Sequence, residues 1–242
     1  AAAAAAASQG AGPRQPLAGC SEKKAQRRAA PKSISDILYG DLAHEHREVF
    51  LTGQITEGSA KELVAQLLYL ERREPGRPIT LFIQSGGGKV AAGLAIHDVM
   101  QDLRSPVRTV CLGRCSSMAA VLLAAGEKGS RHAAPNCRIM VHQPHTSSSG
   151  KKSSLELGIQ HRQLEHSRLT TQRLLAEHTG QPAEAIEALL EADHYMSAEE
   201  AVALGLVDHV GGLAEPAAPV APAPVSEPPS SPEPCEAEAE QA

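Results

Sequence analysis

The sequence predicts an α/β fold with a largely parallel sheet, and three observations carry that prediction. Short β-branched, apolar runs alternate with segments of helical period through the first half of the chain, a pattern that implies parallel strands joined by crossover helices. Glycine and proline clusters punctuate the alternation at Glu74-Pro75-Gly76, Gly86-Gly87-Gly88, Ser105-Pro106 and Gly126. The two ends have no apolar periodicity, which leaves 35–212 as one candidate domain, long enough to bury roughly 70% of its surface.

Taken in order, 1–34 is Ala-rich and basic, with Arg14, Lys23, Lys24, Arg27, Arg28 and Lys32 against the single acid Glu22. It reads as a disordered arm or a transit-peptide remnant. Glu48 to Ile55 reads as a strand. Ser59 is the expected cap of a helix whose Leu63, Val64, Leu67, Leu68 and Leu70 form an apolar stripe. Ile79 to Ile83 is a second strand, Ser85 to Gly88 a turn, and Val90 to Leu103 a helix. A third strand, Val107 to Leu112, leads into Gly113-Arg114-Cys115-Ser116-Ser117-Met118, and a small-residue helix follows as far as Gly126.

In the second half, Cys137 to Val141 is a strand that ends in His142-Gln143-Pro144. A polar loop, Thr146 to Ser154, precedes a long helix over Leu155 to His178, stopped by Gly180. Pro182 opens another helix. Ser197 and Glu200 form a capping box for a short last helix ended by Gly205, and Leu206 to Val210 is a final strand. Residues 213–242 hold eight prolines and six glutamates with no basic residue; this Pro/Ala/Glu-rich tail is expected to be disordered.

Composition narrows the function. The net charge is −5 and aromatics make up 2%, so nothing here offers a basic stripe with stacking platforms for nucleic acid. No apolar run reaches the ~18 residues of a membrane span. Five cysteines without a C-x-x-C pair point away from a disulfide framework or a zinc site and towards a reducing compartment.

The chemistry concentrates on a few positions. A serine at a strand-to-helix junction sits where unpaired N–H groups and the helix dipole favour an oxyanion, although serine there most often only caps the helix. The triple glycine resembles a phosphate loop faintly, but Val90 stands where magnesium needs a hydroxyl, and G-x-G-x-x-G is absent. Its N–H groups suit an oxyanion instead. Of the eleven histidines, His161, His166 and His178 read as surface residues. His142 ends an apolar strand before a proline, the rigid half-exposed setting that a general base needs. Asp193, at a helix exit before Tyr195-Met196, suits a buried orienting carboxylate; Asp98 and Asp208 are the other candidates. No G-x-S-x-G occurs, and Cys115 reads better as a small buried thiol than as a nucleophile.

From about Phe50 to Val210 the chain resembles the proteolytic subunit of the ATP-dependent Clp protease. The resemblance rests on FLTGQI, LLYLE, PITLFIQSGGG, AGLAIHDVM, GRCSSMAAVLLAAGEKGSRHAAPNCRIMVHQP, LLAEHTGQP and DHYMSAEEAVALGLVDHV, in that order. It implies a crotonase-like spiral of β-β-α units with a protruding handle helix, here Leu155 to His178. It also implies a serine nucleophile at Ser117 rather than Ser116, a base at His142, an orienting acid at Asp193, and an oxyanion hole from the N–H groups of Gly87 and Met118. The implied activity is that of a serine endopeptidase inside stacked seven-membered rings. Other Clp proteolytic subunits and an AAA+ unfoldase would be its partners and unfolded proteins its substrates. It would hold no metal or bound cofactor, ATP being used by the unfoldase. A mitochondrial matrix or plastid stroma location would fit the basic arm.

Four departures qualify the match. Gly86 stands where the family usually has proline. The loop HTSSSGKKSS lacks the usual ring-pairing strand, Ala192 replaces a frequent arginine, and no axial-loop sequence is evident before Glu48. These keep two other readings in play: a weakly active or structural subunit of a mixed ring, and a crotonase-type acyl-CoA enzyme on the same fold.

Overall fold

A computed structural model describes residues 42–145 and 151–212. The arms 1–34 and 213–242 and the loop positions 146–150 lie outside the described residues. Seven strands form one sheet: β1 (Glu48–Ile55), β2 (Ile79–Gly88), β3 (Val107–Ser116), β4 (Arg131–Ala133), β5 (Arg138–Val141), β6 (His194–Met196) and β7 (His209–Val210). The helices are α1 (Glu57–Arg73), α2 (Val90–Asp102), α3 (Met118–Ala124), α4 (Ser154–Thr179), α5 (Ala183–Leu190) and α6 (Ala198–Leu204), preceded by a π-helical turn at Leu42–His46.

The order β1-β2-β3-β4-β7 is parallel throughout, as the alternation of elements predicts. β3 divides its pairing. Thr109–Cys111 pair with β4, while Arg114–Ser116 pair in parallel with β5, and β6 returns antiparallel along β5. Strands buried on both faces read as continuous apolar runs, and Val107–Cys111 is fully buried.

α1 buries Ala60, Leu63, Leu67 and Leu70, with Val64 and Leu68 half-buried beside them. Each fully buried leucine contributes about 1.5–3 kcal/mol. The helix is capped by Thr56, whose side chain accepts from Ser59 N while Ser59 Oγ accepts from Thr56 N. Ser59 is thus the far member of the capping box and not the cap, because Glu57 already has helical geometry. The capping box at Ser197 and Glu200 and the left-handed stop at Gly205 are as the sequence predicts.

Two buried arginines tie the layers together. Arg47 donates to the carbonyls of Leu70, Arg77 and Pro78 and to Ser105 Oγ, joining the end of α1 to the approaches of β2 and β3. Arg131 holds Asp208 through a two-pronged pair of 2.6 and 2.9 Å, and Asp208 also accepts from the N–H groups of Gly129 and Arg131. Burial works against the Asp208 carboxylate, but the Arg131 bonds outweigh it and hold its pKa below the ordinary value.

Several elements differ from the sequence prediction. β2 continues through Gly86–Gly88 and β3 through Ser116, since each stretch finds a neighbouring strand. The short strands β4 and β6 have no alternating pattern of their own. His178 is not a surface residue: its Nε2 lies 2.9 Å from that of the buried His97.

Candidate active site

Ser117 sits between the end of β3 and the start of α3 with φ 57° and ψ −129°, and its side chain makes no capping bond. A non-glycine residue at such angles costs of order 1–3 kcal/mol and persists only where its surroundings impose it. They do so here. The Ser117 N–H donates to the Met140 carbonyl at 2.8 Å, pinning the turn to β5, and its own carbonyl accepts from Ala120 N at 2.9 Å. The simple capping role is therefore not the one Ser117 plays. Its hydroxyl is aimed away from the helix, at His142.

His142 follows the last residue of β5 and is 14% exposed in its side chain. Its Nε2 lies 3.0 Å from Ser117 Oγ, and its Nδ1 lies 3.0 Å from Asp193 Oδ1. The antiparallel register brings the acid there. Val141 pairs with His194, so the next residues outward, His142 and Asp193, face each other across the end of the ladder. Gln143 N, donating to Leu190 O at 3.2 Å, ties the same segment to the end of α5.

Each expected site residue can be located. Ser117, His142 and Asp193 form one continuous chain of hydrogen bonds. The Asp193 side chain is 57% exposed, where the sequence suggests a buried carboxylate; the short β6 leaves it at the rim of the sheet. Asp98 is an exposed residue of α2 beside His97, and Asp208 is committed to Arg131. Ser116 is buried and pairs with Met140.

Gly87 packs directly on the Ser117 turn. A Cβ built on it would fall 2.8 Å from Ser117 Cβ and 3.2 Å from Met118 N. Its N–H donates to Ser85 Oγ at 3.0 Å. Met118 begins α3, and its buried side chain fills the space over Gly93 of α2, where a Cβ would come within 2.2 Å of Met118 Cγ. That contact fixes the backbone immediately after Ser117.

The thiol alternative fails on burial, since Cys115 is fully buried. The bond to Cys115 pushes the Cys111 thiol well above the ordinary range, against an opposing effect of Cys137, and the bond to Cys111 pushes Cys137 up likewise, with burial adding to both shifts. Such cysteines are inert.

Ser117, His142 and Asp193 open on a cleft of about 1000 Å³, walled by Gly53, Gln54, Gly86 to Val90, Arg114, Met140, Pro144 and His145. A small apolar notch of about 20 Å³ lies beside the serine between Met118, Val121, Val141 and Leu175. Sequence reasoning passes over Arg114 and His145, because neither has a spacing that marks it; only the pairing of β3 with β5 sets Arg114 in the wall. No cluster of three or more His, Cys, Asp or Glu side chains suited to a metal ion occurs among the described residues. No helix among them is long and apolar enough to cross a membrane.

A model of the Clp protease family matches residues 32–213, a span that takes in the whole sheet, the serine turn and both of its partners. The parallel sheet, the long α4 and the serine-centred cleft agree with that match, and the chain belongs to the Clp protease family of peptidases.

Proposed function

We propose that this chain is a serine endopeptidase subunit, with Ser117 as nucleophile, His142 as general base and Asp193 as orienting acid. The observation that carries the reading is the unbroken relay of 3.0 Å contacts from Asp193 Oδ1 through His142 to Ser117 Oγ. Ser117 Oγ attacks the peptide carbonyl as His142 Nε2 takes its proton. The same imidazole then protonates the departing amine, and an activated water repeats the sequence on the acyl-enzyme. Asp193 holds Nδ1 protonated and stabilises the imidazolium. The N–H groups of Met118 and Gly87 receive the oxyanion, Gly87 after exchanging its bond to Ser85 Oγ.

The proposed setting is a chamber of stacked seven-membered rings of Clp proteolytic subunits, fed with unfolded protein by an AAA+ unfoldase that uses the ATP. This chain would hold no cofactor of its own. The part of α4 before Thr171 supports association: Leu155, Leu157 and Ile159 are exposed there, and the buried residues of the helix all lie from Thr171 to Leu175. Leu155 and Ile159, one turn apart, share a face, and exposed apolar side chains of that kind fit a partner surface. The basic arm supports a mitochondrial or plastid location, testable by imaging the tagged full chain.

Hydrolysis of an internally quenched peptide by the purified chain, alone and with an AAA+ unfoldase and ATP, tests the reading. Cleavage abolished by Ser117→Ala and by His142→Ala is expected. Calorimetric binding of an acyl-CoA, with no cleavage of any peptide, would instead favour acyl-CoA chemistry on this fold.

A further inference from the structure

The wall of the cleft carries a guanidinium that the hydrolytic machinery does not use. Arg114 lies three residues before Ser117 on β3 and is exposed to the cleft. Its guanidinium occupies the space beside Gly86: a Cβ at Gly86 would meet Nη2 at 2.7 Å, Cζ at 3.2 Å and Nε at 3.6 Å. Only the missing side chain at position 86 gives it that berth. Three residues of extended strand span about 10 Å, and Gly86 adjoins Gly87, which touches the nucleophile turn. The charge therefore stands two or three residues along an extended substrate from the scissile carbonyl.

Among the described residues nothing serves this charge as a counter-ion. The other cation in the wall, Lys89, is held by Glu57 at 2.9 Å. The one carboxylate in the wall, Asp193, is engaged by His142. Among the described residues Arg114 forms no ion pair, and residues 146–150 carry no acid. Its direct register partner across the β3–β5 ladder is Arg138, also exposed. Like charges directly opposite destabilise a sheet pair, so an anion arriving at Arg114 relieves that repulsion as well as forming its own bond. A guanidinium with a free fork suits a carboxylate in two-point contact.

We infer that Arg114 is a specificity-determining residue that favours peptides with Asp or Glu two or three residues from the bond cleaved. The inference rests on the reading of Ser117 as nucleophile.

The test uses quenched peptides identical except for Glu, Gln or Lys at each of three positions on either side of the scissile bond. They are assayed by kcat/KM with the full chain and its Arg114→Ala, Arg114→Lys and Arg114→Glu variants. The expected result is a Glu-over-Gln preference of roughly fivefold at one position in low salt, the scale of a well-oriented exposed ion pair, shrinking as salt rises. Arg114→Ala brings the ratio close to one, Arg114→Lys keeps part of it, and Arg114→Glu turns it towards Lys. Gly86→Ala, which displaces the guanidinium, lowers the ratio too. A Glu-over-Gln ratio that is the same in the parent, Arg114→Ala and Arg114→Glu overturns the inference. Fluorescence anisotropy of the same peptides on Ser117→Ala separates the two readings. Arg114-dependent binding of the Glu peptides without cleavage by the parent chain would sink the peptidase reading and keep the anion preference. Cleavage with no dependence on Arg114 would do the reverse.

Discussion

Gly87 and Ser117 are packed so closely that a single methyl group on the glycine would stand 2.8 Å from Ser117 Cβ and 2.7 Å from the Ser116 carbonyl oxygen. Gly87 also has φ 89°, in the region where a side chain is strained. Gly87→Ala is therefore expected to push the Ser117 turn out of place. A displacement of about 1 Å costs on the order of a hundredfold in rate, so kcat/KM on a model peptide falls by that order while far-UV circular dichroism is retained. Full activity in Gly87→Ala would show that the close packing serves the fold alone.

On the proposed mechanism the carboxylate that matters for turnover is Asp193, the acid in contact with the imidazole of His142. Asp193→Asn leaves the ring in the wrong tautomer and lowers kcat by roughly 10²–10⁴. The exposure of Asp193, at 57%, is a reason to expect less than the upper figure in the isolated chain. Asp98→Asn, on the exposed side of α2, leaves kcat within a factor of two. Steady-state kinetics on both variants decides it, and the reverse pattern would move the orienting role elsewhere.

On the same reading Asp208 contributes to stability and not to turnover. Its pair with Arg131, whose side chain is 5% exposed, joins β4 to the approach of β7. Removing one partner of a buried pair strands the other charge, at a cost of about 3–5 kcal/mol. Asp208→Ala is expected to lower the denaturant midpoint sharply, with the surviving folded fraction cleaving peptide at the normal rate. An unchanged midpoint would mean that water replaces the carboxylate.

Acid weakens the contact between α2 and the end of α4. Burial, and then the neighbouring His97 ring, push the His178 pKa down to about 4 from 6.5. Between those values the unfolded chain binds a proton that the folded chain refuses, so this contribution to stability is full above pH 6.5 and is lost as pH falls towards 4. Arg131 and Lys128 act in the same direction and Glu177 opposes them. Thermal melts from pH 7.5 to 4.5 are expected to show a declining Tm, with a shallower decline in His178→Gln. Parallel profiles for the two proteins would remove His178 as the cause.

Much of this architecture is legible in the residues. Val107 to Leu112, Ile79 to Ile83 and Glu48 to Ile55 lie in strands with helices between them, and the runs alone say so. Ser117 and His142 stand at the ends of such runs. What the residues do not declare is tertiary. β6 is three residues long, too short for any periodicity, and yet it sets Asp193 against His142. Arg114 looks like any exposed strand residue until β3 is seen to leave β4 and pair with β5. His178 lies near the end of α4, and only the tertiary fold sets its ring against the buried His97. Ser59 makes a plausible cap in one dimension; the Thr56 bond needs three.

The central claim is that Ser117, and not its neighbour Ser116, is the nucleophile. Treating the purified full chain with a fluorophosphonate and locating the adduct by peptide mass spectrometry tests it directly, since only an activated hydroxyl is phosphonylated. The account predicts stoichiometric label on Ser117 with parallel loss of peptidase activity, normal labelling in Ser116→Ala, and none in Ser117→Ala or His142→Ala. Label on Ser116, or undiminished labelling in His142→Ala, would contradict it.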